Sequence, residues 1–295
     1  MKSNRQPDLK YPQPPFPEQK QQHPGVEAKM SPRADHGQDT YEGSGKLKEK
    51  IAVITGGDSG IGKAVAIAFA REGADIVLSY LNDMEDEDAR DTAGYVEKAG
   101  RSCLLIKGDI TSEEHCRSII DQTVRRFGRV DILVNNAAFH MSRKSLEDIP
   151  SDEWRHTFEV NVHSIFYLCK AAVPHMKPGS SIINTTSVNT YYPSDDLLPY
   201  AATKAAVENF TANLSKILLS QEKGIRVNAV APGPVWTPLI TSTKWEDAPT
   251  FGEDTPVGRP GQPAEIAPAF VFLASGESSY ISGATIPATG GRVTI

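Results

Sequence analysis

The feature that most constrains this chain is the run Thr55-Gly56-Gly57-Asp58-Ser59-Gly60-Ile61-Gly62, which closes a short apolar segment and opens a helical one. Glycines at this spacing permit a tight turn and close approach of backbone to a ligand. A pyrophosphate then sits against the unpaired N–H groups at the helix N-terminus. A glycine-rich strand-to-helix turn that binds nothing has the same local composition. Its place in the first β-α unit of an alternating chain is what points to a dinucleotide.

That alternation runs the length of the body. Apolar runs of strand length at residues 51–54, 75–80, 102–107, 132–134, 181–185, 226–230 and 284–287 alternate with helical patterns at 62–72, 87–98, 113–127, 154–176, 200–220 and 264–273. This order predicts an α/β fold: one doubly wound Rossmann-type domain, with about seven parallel strands and helices on both faces. Residues 236–262 break the rhythm, and an irregular stretch of that length predicts a functional loop, here a substrate lid. Residues 1–46 hold 7 of the 21 prolines and six glutamines but few large aliphatic residues. They read as an extended, mostly non-regular arm that supports an oligomer rather than the chemistry, leaving residues 47–295 as the catalytic domain.

Charge and cysteine usage exclude several classes. A net charge of -6 leaves no basic excess to neutralise phosphates, so nucleic acid is not the expected partner. No apolar run approaches the ~20 residues needed to span a bilayer, and the N-terminus lacks the apolar core of a secretory signal. Cys103, Cys116 and Cys169 show neither metal-ligand spacing nor a disulfide framework. The expectation is a cytoplasmic protein with no metal.

The second constellation is Tyr200-Ala201-Ala202-Thr203-Lys204. A spacing of four places both outer side chains on one helix face. An ammonium beside a phenol favours the phenolate, which would lower the Tyr200 pKa toward the range a general acid/base needs. Taken alone, this pattern more often marks an ordinary surface pair. Ser187, thirteen residues upstream and just past the strand pattern at 181–185, alters that reading. Ligands gather at the carboxyl ends of strands in a parallel sheet, and Ser187 falls there.

TGGDSGIG, Asn135-Asn136-Ala137, Ser187, YAATK and Pro232-Gly233-Pro234-Val235-Trp236-Thr237 follow one another as in the short-chain dehydrogenase/reductase family, which residues 47–295 resemble. Within it, the chain is similar to bacterial oxidoreductases related to glucose/ribitol dehydrogenases that carry a polar N-terminal extension. GGDSGIG, SYLN, GSSIINT, APGPVWTPL and GQPAE carry the closer likeness. The resemblance implies an NAD(P)-dependent oxidoreductase acting on a small alcohol/carbonyl substrate (sugar, polyol, aldehyde or ketone), assembled as a homotetramer through the helical regions 154–176 and 200–220.

The same resemblance assigns roles. Catalysis falls to Asn161, Ser187, Tyr200 and Lys204, with Ser187 bonding the substrate oxygen, Tyr200 moving the proton, Lys204 binding the nicotinamide ribose and Asn161 holding a relay water. Cofactor contacts fall to Gly56, Ser59, Gly60, Ile61, Gly62, Asp109, Ile110, Asn136, Ala137, Tyr200, Lys204, Pro232, Gly233, Val235 and Thr237. For Asn161 alone, an amide that caps or bends a helix is the plainer alternative. NAD or NADP stays open: Tyr80-Leu81-Asn82 supplies neither the acid that binds a ribose hydroxyl nor an arginine for a 2′-phosphate. The acidic run from Asp83 to Asp88 suits a helix N-terminus.

Other residues carry plainer expectations. His140 is either a pocket wall or a solvent-facing loop histidine; Tyr191 and Tyr192 are candidate pocket walls. Trp236 and Trp245 either pack on substrate or, as the plainer reading, anchor in the core, and Cys169 reads as core. Thr289 stands where family members usually carry asparagine or aspartate, an expected local departure near the carboxyl terminus. The rival class is a catalytically idle nucleotide-binding scaffold that uses its arm for partner contact.

Overall fold

The computed structural model describes residues 11–293; the first ten residues of the arm and the last two of the body lie outside the described residues. Seven strands form one parallel sheet: β1 (Ile51–Thr55), β2 (Asp75–Tyr80), β3 (Cys103–Lys107), β4 (Ile132–Asn135), β5 (Ser181–Thr185), β6 (Arg226–Pro232) and β7 (Thr285–Ala288). Their order is β3-β2-β1-β4-β5-β6-β7. The helices are α1 (Gly60–Arg71), α2 (Asp86–Lys98), α3 (Glu113–Phe127), α4 (Ser151–Phe158), α5 (Ser164–Ala172), α6 (Leu198–Ser220), α7 (Pro238–Thr243) and α8 (Pro263–Ala274).

Period-two alternation divides the strands between two cores. Ala52, Ile54, Ile76, Leu78, Ile132 and Val134 face the layer of α1 and α8, whereas Val53, Val77 and Leu133 face α3, α5 and α6. Strands buried on both faces read as unbroken apolar runs, which is why β1, β2 and β4 stood out in the sequence. The strand order reverses between β1 and β4, and a crevice opens there beyond the carboxyl ends of the strands.

The expected single helix over 154–176 is instead broken. α4 ends at Phe158, a π-helical turn spans Glu159–His163, and α5 follows, ending in a short 3-10 turn. The cause is the Asn161 amide, which turns inward in the π turn. Its Oδ1 accepts from Phe139 N at 2.8 Å, and its Nδ2 donates to Phe139 O at 2.8 Å and to Thr203 Oγ1 at 3.0 Å. An extra residue in the turn aims that amide at two other elements.

Among its described residues the arm is non-regular apart from one 3-10 turn (Glu27–Lys29), and these residues lie along their own subunit. Phe16, Met30 and Ala34 form an apolar cluster with Trp236, Ile240 and Ala248, the Phe16 and Trp236 rings standing 4.4 Å apart. Phe16 N donates to Pro249 O, Gln21 N to Thr241 O, and Trp236 Nε1 to Pro32 O at 2.8 Å. Residues 236–262, expected to be irregular, contain α7 and a 3-10 turn (Trp245–Thr250), with the arm packed against them. Trp236 is fully buried as expected, but Trp245 is not core: it is 36% exposed, with Lys20 Nζ 4.1 Å from its ring centroid.

Candidate active site

A cleft of about 830 Å³ opens at the carboxyl ends of the strands. Every site residue expected from the sequence lines it except Gly62 and Asn161. Gly62 serves by packing: a Cβ there would stand 1.9 Å from Gly56 O, so only glycine lets α1 start against the turn that precedes it. Gly56 and Gly60 have φ of +60° and +51°, the region that favours glycine. Asn136 locks the loop to β4: its Nδ2 donates to Thr55 O at 3.1 Å and Gly56 O at 3.2 Å, and its backbone N to Thr55 Oγ1 at 3.0 Å.

This cradle fits a dinucleotide. Close backbone turns at Gly56 and Gly60, the start of α1, where Ser59, Gly60 and Ile61 line the cleft, and a crevice at the strand-order reversal supply the space and the helix N-terminus that a pyrophosphate needs. Beyond β2 the Glu85 carboxylate is consumed locally, accepting from Leu81 N at 2.8 Å, while Asn82 caps the following turn. Asp58, within the glycine turn, is buried at the cleft wall, and burial together with Glu85 pushes its carboxyl above the usual range. Asp109 lines the same end, where its Oδ1 accepts from Thr111 N. The acidic run thus splits: Asp86 pairs with Lys107 and Arg90 at the surface, while Glu85 and Asp88 turn inward.

At the other end, β5 and α6 bring Ser187, Tyr200 and Lys204 together. Ser187 caps a 3-10 turn and its Oγ accepts from Asn189 N at 3.1 Å. Ser187 stands beside the Tyr200 hydroxyl and favours its phenolate. Lys204 Nζ donates to Thr185 O at 2.7 Å and lies 5.3 Å from the Tyr200 ring centroid. A buried ladder, Asn135 Nδ2 to Asn184 Oδ1 at 2.8 Å and Asn184 Nδ2 to Thr211 Oγ1 at 2.9 Å, fixes α6 to the sheet.

The electrostatics reverse one expectation. Burial pushes the Tyr200 phenol up to about 12 and the Lys204 ammonium down to about 7. Lys204 was expected to lower Tyr200; taking both groups out of water outweighs their mutual attraction, so the phenol holds its proton.

His140 is a pocket wall. It is 4% exposed, stands edge-on to Tyr200 with ring centroids 5.1 Å apart, and burial lowers it to about 3. Thr243 Oγ1 donates to Leu239 O and lies 3.0 Å from His140 Nδ1, so that nitrogen carries the ring proton. Tyr192 lines the cleft; Tyr191 does not, its hydroxyl bonding Glu208 Oε1 at 3.0 Å. Cys169 is buried core, and the Thr289 hydroxyl is spent on Arg292 O at 2.6 Å.

The sequence reading missed His23, Pro24 and Gly25, which bring the arm into the cleft wall, and also His156 and Lys244. The proline-glycine pair signals a turn, but no local pattern says where a distant arm docks. Gly25 is the tell-tale: a Cβ there would meet Pro238 O at 2.4 Å.

A family model described as enoyl-(acyl carrier protein) reductase matches residues 56–292. An uncharacterized oxidoreductase, YhdF of Bacillus subtilis, is 50% identical over 277 residues, 94% of each chain. Glucose and ribitol dehydrogenase of Daucus carota is 44% identical over 284 residues, covering 94% of this chain and 98% of that one. A short-chain dehydrogenase from Burkholderia cenocepacia J2315, solved in complex with NADP, superimposes with a TM-score of 0.77 at 31% identity, covering 83% of this chain and 98% of that one.

Proposed function

This chain belongs to the short-chain dehydrogenase/reductase family, and from that premise we propose that it is an NAD(P)-dependent oxidoreductase interconverting a small alcohol and its carbonyl. One observation carries the proposal: Ser187, Tyr200 and Lys204 share a cleft with the glycine-rich turn that can hold a dinucleotide. A bound nicotinamide would supply the hydride in reduction and take it up in oxidation.

The chain's own residues handle the oxygen. Ser187 donates a hydrogen bond to the carbonyl oxygen and orients it. Tyr200 delivers its proton to that oxygen as negative charge develops there, leaving an alcohol; oxidation runs the same transfer backward. A phenol that stays protonated at neutral pH is the form that reduction requires. Lys204 places its ammonium beside the phenolate left behind and, through Thr185, holds its place against β5. Glycines 56 and 60, Ser59 and Ile61 would seat the pyrophosphate; Asn136 the cofactor ribose; Asp109 and Ile110 the adenosine; Ala137, Pro232, Gly233, Val235 and Thr237 the nicotinamide end. The Asn161 side chain, fully buried and bonded on both sides, acts as a positioning group tying Phe139 to Thr203.

The substrate class is a small sugar, polyol, aldehyde or ketone. The names of the Daucus relative and of an NADPH-dependent aldehyde reductase from Arabidopsis thaliana, 43% identical, support both halves of that range. Exposed Trp154, Phe166, Leu198, Ile217 and Leu219 on α4, α5 and α6 support the homotetramer proposed from the resemblance. Three unpaired cysteines support a cytoplasmic placement.

The test is absorbance of the reduced nicotinamide, followed with NADH and NADPH against sugars, polyols and aldehydes. Substrate-dependent change is expected. Tight dinucleotide binding with no turnover across the panel would favour the idle scaffold instead.

A further inference from the structure

Glu27 belongs to the arm, outside every motif that marks the active site, yet it reaches the centre of the glycine-rich turn. Its Oε2 accepts a hydrogen bond from Gly60 N at 2.9 Å. It is 5% exposed, and His36 Nε2, also from the arm, lies 3.2 Å from the same oxygen. Glu27 N in turn donates to Asp88 Oδ2 at 2.7 Å, so the arm bridges the start of α1 and the first turn of α2. Burial pushes the carboxyl up, but the neighbouring His36 and the Gly60 N–H outweigh it and hold the carboxyl below its usual range, which keeps it ionised.

Glu27 does not line the cleft, whereas Ser59, Gly60 and Ile61 do. The carboxylate therefore grips the turn from behind and leaves the cleft side open. Gly60 sits at φ +51°, where a glycine backbone is intrinsically free, so the bond to Glu27 is what holds this turn in one conformation. Two to four residues earlier in the chain, His23, Pro24 and Gly25 form cleft wall, so the segment that grips the turn also encloses the site.

We infer that Glu27 is a positioning residue for dinucleotide binding: through its bond to Gly60 it fixes the glycine-rich turn in the receptive conformation and couples arm docking to cofactor affinity. This rests on the dinucleotide reading above and gives the arm a role in the site rather than in assembly alone. Coupling of this kind is reciprocal: a dinucleotide that binds better when the arm is docked must also hold the arm down.

Two measurements on the full chain test it. Calorimetric Kd values for NADPH and NADH are compared among wild type, Glu27→Ala and Glu27→Gln. A lost hydrogen bond to a charged group predicts ~10-fold or weaker binding for Glu27→Ala, with the loss falling on the dinucleotide KM rather than kcat. Glu27→Gln keeps an acceptor for Gly60 and is expected to recover most of the affinity, which a merely structural role would not produce. Folded Glu27→Ala binding within twofold of wild type would overturn the inference. If wild type itself binds neither dinucleotide, the function proposed above fails as well, so the two failures are distinguishable.

The second measurement needs no variant. Lys20 and Lys29, both exposed, flank Glu27. Saturating dinucleotide is expected to slow tryptic cleavage after them severalfold in the unaltered protein, and an unchanged rate would overturn the inference even if Glu27→Ala does not fold.

Discussion

Lys204 reaches from α6 to the last residue of β5, where its Nζ donates to the Thr185 carbonyl at 2.7 Å. One side chain thus joins the helix that carries Tyr200 to the strand that leads into Ser187. It does so fully buried, at the cost of a proton it holds less firmly than in water.

That cost predicts a pH dependence. Lys204 titrates at about 7 in the folded protein against an ordinary 10.5. Between those values the unfolded chain keeps a proton that the folded chain has released, so stability rises with pH across the window. Lys204→Met should remove this slope and leave Tm at pH 7 equal to or above that of wild type, while turnover falls roughly 10²-fold or more. A Tm several degrees below wild type would contradict the assignment of burial as the dominant effect.

His140 behaves in the same direction at lower pH. Burial holds it neutral with a value of about 3 against an ordinary 6.5. As pH falls below 6.5 the unfolded chain takes up a proton that folded His140 refuses, and stability is lost progressively down to about 3. Denaturant titrations of His140→Asn between those pH values should show a flatter profile than wild type. An identical slope would mean that the histidine is not shielded.

Two glycines should respond oppositely to alanine. At Gly62 a Cβ would meet Gly56 O at 1.9 Å, whereas at Gly94, inside α2, nothing lies within 4 Å. Gly62→Ala should lose dinucleotide binding and lower Tm. Gly94→Ala should leave binding intact and stabilise by about 0.5–1 kcal/mol, the helix-propensity gain. Calorimetric binding and thermal melts on both variants check this pair.

Asn161→Ala would orphan Phe139 N and O and one bond to Thr203, all buried. A loss of about 2–4 kcal/mol is expected from unsatisfied buried groups, read by denaturant unfolding. Turnover should fall with it, because the loop after β4 and the start of α6 lose their link. A loss below about 0.5 kcal/mol would show that water replaces the amide without cost.

The inner strands β1, β2, β4, β5 and β6 were legible because both-face burial leaves apolar runs; the less buried β3 and β7 showed as apolar patterns beside a glycine. The reactive trio was legible because a four-residue spacing in a helix and a strand-end serine are local signals. The π turn was not, since residues 154–176 keep a helical pattern and only the inward partners of Asn161 break it. Nor was the arm: His23, Gly25 and Glu27 acquire their roles from contacts with Phe139, Pro238 and Gly60, far away along the chain. Lowering of Tyr200 by Lys204 was a reading of proximity alone, and burial reversed it.

The central claim is that Tyr200 moves the proton while other residues hold the dinucleotide. Turnover and dinucleotide Kd measured side by side for Tyr200→Phe test it most directly. The account predicts turnover reduced by roughly 10³-fold or more with Kd changed by no more than about threefold. Turnover within about tenfold of wild type, on a substrate that wild type converts, would contradict it.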